Sequence, residues 1–168
     1  EIYRAYEAEI SLLLRYNSDN ANAVIKYCKD TLIEKLQAVV TLKDSDKYFE
    51  FYTPAMEEVF ARHGEQIREG GLLKLRVCLS AQKPDIAINF GLQKGNKELD
   101  WSNVQHLILQ KLMPSKEAAG RYATLKNYVL LNSERRELDF DEVREDVERQ
   151  INLFLGALEE FEKGLLAL

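Results

Sequence analysis

Few residues in this sequence have the types and spacing to do chemistry. His63 and His106 are the only histidines in 168 residues, so a centre built on three imidazoles cannot form within one chain. Glu57, Glu58, His63 and Glu65 lie close together and carry the donors that hold divalent metals. Helical carboxylate sites draw matching ligands from a second helix, and no such stretch stands out. Glu58 and Arg62 are spaced as a surface ion pair. Gly91-Leu92-Gln93-Lys94-Gly95 has glycines and a lysine but the spacing of neither a P-loop nor a dinucleotide fingerprint. Asp141, Glu142, Glu145, Asp146 and Glu148 crowd the start of a helix, where acidic groups complement the macrodipole. From these residues we expect no catalytic group, no metal ligand and no cofactor, and the reading leans away from an enzyme.

Binding residues are easier to nominate. Tyr48, Phe49, Phe51 and Tyr52 form an aromatic excess, and Tyr48, Phe51 and Tyr52 are candidates for contact with a partner. Arg76 and Asn89 join them, because they sit on a segment whose strand edge would accept an extended chain. Lys111, Lys116, Arg121 and Lys126 gather with Tyr122 and Tyr128, a mix of cations and rings that nucleic-acid surfaces use. Lys116, Arg121 and Lys126 would then touch phosphate. Their steps of five wind them around a helix, and the net charge of −5 with a pI near 5.2 disfavours broad phosphate-backbone binding.

The elements that must position these groups read mostly as helices. The clearest spans Leu138 to Leu168, where Val143, Val147, Ile151, Phe154, Leu158, Phe161 and Leu165 recur at helical spacing. Asp139 and Glu142 mark its start as a capping box, with Leu138 and Val143 as a hydrophobic staple. Earlier helices are expected over Ile2–Tyr16, Ala21–Leu42, Thr53-Pro54 to Gly70-Gly71, Trp101–Met113 and Ser115–Leu131. Asn17-Ser18-Asp19-Asn20 would turn the chain between the first two. Lys47 to Tyr52 reads equally as a helical turn or an extended piece. Leu73, Leu75, Val77 and Leu79, then Ile86, Ile88, Phe90 and Leu92, alternate across a loop that contains Pro84. That is a hairpin signal, although Leu72, Leu75 and Leu79 also satisfy a helical template.

The expected fold is therefore mainly α: an antiparallel bundle of about five to six helices with a single β-hairpin insertion over about 72–92. With 46% hydrophobic and 30% charged residues, residues 1–168 should form one domain with one core. The start at Glu1 and the leucine-bearing end lead us to expect a segment of a longer protein. Cys28 and Cys78 read as reduced, buried thiols of a cytoplasmic protein, and no run is apolar enough for a membrane span. The function these features favour is a non-catalytic interaction or regulatory domain that binds a protein partner or other domains of its own chain. The rivals are an accessory domain of a nucleic-acid enzyme, and an enzyme whose site is assembled from scattered side chains.

Overall fold

Alternation, and not helical periodicity, organises the middle of this chain. The computed structural model describes residues 2–36, 40–45, 48–70, 72–80, 85–95, 98–114, 120–135 and 139–168. Helix α1 (Ile2–Leu36) leads into strands β1 (Val40–Ser45) and β2 (Tyr48–Tyr52) and helix α2 (Pro54–Arg62). Short strands β3 (Arg68–Glu69) and β4 (Leu72–Leu73) pair with each other. Strands β5 (Leu75–Ser80) and β6 (Ile86–Gln93), helix α3 (Asn103–Leu112), strand β7 (Tyr122–Leu131) and helix α4 (Phe140–Leu166) complete the fold. The long strands form one five-stranded sheet in the order β1-β2-β5-β6-β7, with every neighbouring pair antiparallel.

The all-α bundle expected from the sequence is thus wrong: helices pack on a sheet. The hairpin is real, but it is the centre of the sheet and not an insertion. Its edges are both occupied, β5 by β2 and β6 by β7, so Arg76 and Asn89 do not lie on a free edge. The predicted helix over Ser115–Leu131 is strand β7 in its described part. Two irregularities in its register leave Leu125 and Leu130 without a partner on β6. Each bulge shifts the inward-facing set by one residue, which turned a two-residue alternation into spacings that imitate a helix. The expected break at Asn17–Asn20 is also absent, because α1 runs straight through it. None of those four residues is proline or glycine, and asparagine, serine and aspartate each cost only about 0.5–0.7 kcal/mol inside a helix. Residues 40–42, expected at the end of the second helix, belong to strand β1. The third helix stops at Arg62 rather than running to Gly70, which at φ 57° turns β3 into β4.

One face of the sheet is dry. Phe49 and Phe51 of β2, Leu75, Val77 and Leu79 of β5, Ile86, Ile88, Phe90 and Leu92 of β6, and Ala123 and Tyr128 of β7 are all buried in one cluster. Helix α4 lies on it with the whole seam from Val143 to Leu165 buried. Phe90 meets Phe154 and Phe161 edge-on, with ring centres 6.2 and 4.9 Å apart, and Tyr128 meets Phe154 at 5.4 Å. The expected capping box holds, since the Glu142 carboxylate accepts the Asp139 N–H at 2.7 Å; Leu138 lies outside the described residues. Helix α1 adds Val24, Ile25, Cys28 and Leu32 to the same core, and the Tyr27 hydroxyl donates to Glu148 of α4 at 2.7 Å. Helix α2 is tied to the far end of α4, where Thr53 donates to Glu162 and Arg62 donates to the Leu166 carbonyl at 3.0 Å. No described helix is long and apolar enough to cross a membrane.

Helix α3 is clamped by polar groups. Gln105, buried on its first turn, donates to the carbonyls of Lys74 (2.9 Å) and Gln93 (2.7 Å). Its amide oxygen accepts the Ser102 N–H at 3.0 Å, completing the cap. Glu65 accepts the Val104 N–H at the same helix end and pairs with Lys74 at 3.1 Å, while Glu69 holds Lys74 from the other side at 2.9 Å. Burial opposes the charge on Glu65, but hydrogen bonds from Ser102, Lys74 and Val104 outweigh it and hold the carboxyl below the usual glutamate range.

Two outcomes follow from this packing. Ile151→Asp should abolish cooperative folding, since an unpaired buried carboxylate costs several kcal/mol against a total of about 5–15 kcal/mol; a melting temperature within a few degrees of wild type would place the seam in solvent. Glu65→Gln should cost on the order of 1–2 kcal/mol near neutral pH. A carboxyl with a depressed folded pKa stabilises above the usual range and loses that contribution as pH falls through it. Denaturant titrations should therefore show the gap between variant and wild type closing in acid, and a gap independent of pH would contradict the assignment.

Candidate functional site

The second face of the sheet is where polar chemistry collects. Side chains alternate across a strand, so burying Phe49 and Phe51 turns Tyr48 and Glu50 to the other side. The same rule sends Arg76, Cys78 and Ser80 of β5, and Ala87, Asn89 and Gly91 of β6, away from α4. Register arranges them in rows across the strands. Tyr48, Ser80, Ala87 and Val129 make one row, and Glu50, Cys78, Asn89 and Asn127 the next. Arg76, Gly91 and Thr124 make a third, with Tyr122 opposite Gln93 beyond it. Of these, all but Glu50, Gly91 and Gln93 line a recess of about 430 Å³, and among the described residues Asp85, just before β6, is the one addition to the sheet's own side chains.

Gly91 permits the close approach of β7 on this side of the sheet. A Cβ there would fall 2.4 Å from the Ala123 carbonyl oxygen, so the bulge that brings β7 close excludes every other residue. The missing side chain lets the β7 backbone at Ala123 and Thr124 take its place, between Arg76 and Thr124 in the row. Arg76 is the best-held group on the face: its Nη1 donates to Glu50 at 2.6 Å and to the Tyr48 hydroxyl at 3.2 Å. Its guanidinium carbon lies 5.6 Å from the centre of the Tyr122 ring. Arg121 flanks the same ring at 5.8 Å and donates from Nε to the Lys94 carbonyl. Burial, followed by the hydrogen bond with the Cys78 thiol, pushes the Tyr48 phenol well above its ordinary range. It is therefore a neutral hydroxyl at physiological pH. Asn89 donates to the Cys78 carbonyl at 3.4 Å.

The sequence-nominated residues divide cleanly. Tyr48, Arg76 and Asn89 come together on this face. Phe51 is fully buried in the opposite core, and Tyr52 is buried at the end of β2. Arg121 flanks the Tyr122 ring, which lines the recess, whereas Lys126 pairs with Phe90 on the α4 side and lies 4.9 Å from the Tyr128 ring. Lys116 is outside the described residues. Sequence reasoning missed Glu50, Thr124 and Asn127 and gave Tyr122 no role of its own. Their only signal was the alternation that the bulges in β7 interrupt.

Neither histidine lines the recess. His63 bonds the Val59 carbonyl at the end of α2 through Nδ1, at 2.9 Å, and His106 is exposed on α3. Among the described residues no three His, Cys, Asp or Glu side chains are grouped so as to hold a metal ion. Cys28 belongs to the core and Cys78 to the recess, so the sheet separates the two thiols. Burial pushes the Cys28 thiol well above its ordinary range. No family model matches the chain, and neither does any curated protein or solved structure. The face presents a fixed guanidinium, neutral hydroxyls, amides, and exposed Tyr122 and Val129.

The Glu50–Arg76 pair is mostly shielded, with side chains 15% and 24% exposed. A double-mutant cycle with Glu50→Gln and Arg76→Gln should give a coupling of about 1 kcal/mol or more. Additivity within roughly 0.3 kcal/mol would show that the pair does not organise the face.

Proposed function

We propose that this chain is a non-catalytic binding domain whose uncovered sheet face docks a segment of a protein partner. The observation that supports this is the recess itself. It is concave, it is built from four strands, and no described helix lies over it. A solvated face is ordinary for an antiparallel sheet, so polarity alone would argue nothing. The distinguishing feature is order. Arg76 is fixed by Glu50, Tyr48 and Tyr122, and groups already held in place lose less freedom when a ligand binds. Tyr122 and Val129, 47% and 41% exposed, add apolar area at the β7 side. The reading as a nucleic-acid accessory domain has less support. Of its phosphate candidates within the described residues, Arg121 flanks Tyr122 while Lys126 lies on the α4 side, and Glu50 already places a carboxylate on Arg76.

Selection of a short random-peptide library on the immobilised domain tests this. Asn127 is exposed at the centre of the face, so Asn127→Arg should leave the melting temperature within a degree or so while filling the recess. Wild type should enrich binders that the variant does not retain. Failure to enrich, or equal retention by the variant, would refute the reading.

A further inference from the structure

The recess is not uniform along its strands, and the gradient specifies a ligand. At one end lie Ala87, Ser80 and Val129, with Asp85 beside them, and from the same row the Tyr48 hydroxyl reaches across to Arg76. Asn89 and Asn127 occupy the middle. At the other end Arg76 and Arg121 both stand within 6 Å of the Tyr122 ring centre. A guanidinium beside an aromatic ring can be attracted to its face while its N–H donors serve other partners. Arg76 spends only Nη1 on Glu50 and Tyr48, and Arg121 spends only Nε on Lys94. Among the described residues the remaining donors, Nε and Nη2 of Arg76 and both Nη of Arg121, make no hydrogen bond.

We propose that the Tyr122 end is a carboxylate subsite, in which Arg76 and Arg121 take an aspartate or glutamate of an extended partner peptide lying along the strands. The proposal rests on the reading of this face as the docking site. Charge complementarity sets both the ligand and its direction. Glu50 already balances Arg76, so the subsite has room for about one further negative charge. A phosphodiester chain would repeat its charge at every nucleotide, past the Glu50 carboxylate as well, whereas a peptide can place a single carboxylate beside the arginines. From Ala87 to Gly91 or Gln93 the strand advances about 13–20 Å. An extended peptide would therefore carry its acidic residue four to six positions from an aliphatic residue seated by Val129.

The peptides enriched on wild type supply the test. They should show an aspartate or glutamate at that spacing from a valine, isoleucine or leucine. Arg121→Gln, which breaks no side-chain ion pair, should weaken an enriched acidic peptide about tenfold or more; Arg76→Gln should do the same. Enrichment that Asn127→Arg abolishes, but without acidic preference or without loss in Arg121→Gln, would overturn the subsite and leave the docking face standing. No enrichment at all would overturn both. A short oligothymidylate that displaces the peptide at physiological salt and binds more tightly would reassign the arginines to phosphate and sink the proposal.

Discussion

The fold depends on one contact: the apolar seam of α4 against the inner face of the sheet. A sheet whose strands carry Phe49, Val77, Ile88, Phe90 and Tyr128 on one side cannot leave that side in water. Each such side chain is worth about 1.5–3 kcal/mol when buried. Helix α4 is about 40 Å long, enough to cross the sheet with Phe154 and Phe161 on Phe90. The other helices are positioned relative to this pair. Gly164 illustrates the closeness: a Cβ there would stand 2.8 Å from a methyl of Leu112 on α3. Helices α1 and α2 reach α4 through Tyr27 and Thr53.

With every described helix that packs on the sheet gathered on that core, the far face is free to be polar. The same alternation that buries Leu75, Val77 and Leu79 presents Arg76, Cys78 and Ser80. The core therefore fixes the site as rigidly as it fixes itself, because a one-residue slip of any strand would exchange the two faces. The bulges in β7 are a local departure. They bring Ala123 over Gly91, and the one at Leu125 lets Ala123 and Tyr128 both face the core.

Legibility in the sequence followed the strength of the local pattern. The seam of α4 could be read residue for residue, because one unbroken period runs from Val143 to Leu165 and Asp139 marks where it begins. The alternation in β5 and β6 was equally plain. Two things hid the sheet. Strand β7 carries bulges at Leu125 and Leu130, so Ala123, Tyr128 and Leu131 are not evenly spaced. Strand β2 has two successive buried residues after Glu50 and offers only five residues to judge by. At Asn17–Asn20 local turn preference was given too much weight, since helix α1 continues where no proline or glycine stops it. Of the site, Tyr48 was nominated from an aromatic excess, and Arg76 and Asn89 from a strand edge that turned out to be occupied. Their assembly with Tyr122, Arg121 and Asn127 is a property of strand order, which no local pattern encodes.

The central claim is that the sheet has one face sealed by α4 and one open to solvent and partner. Paramagnetic broadening by a soluble, uncharged relaxation agent measures this directly on the intact domain. The methyls of Thr124 and Val129 and the side-chain amide of Asn127 should broaden strongly, while the methyls of Ile88, Leu92 and Ile151 stay sharp. Equal protection of Thr124, Asn127 and Val129 would mean that the second face is covered, and the account of this site would be wrong.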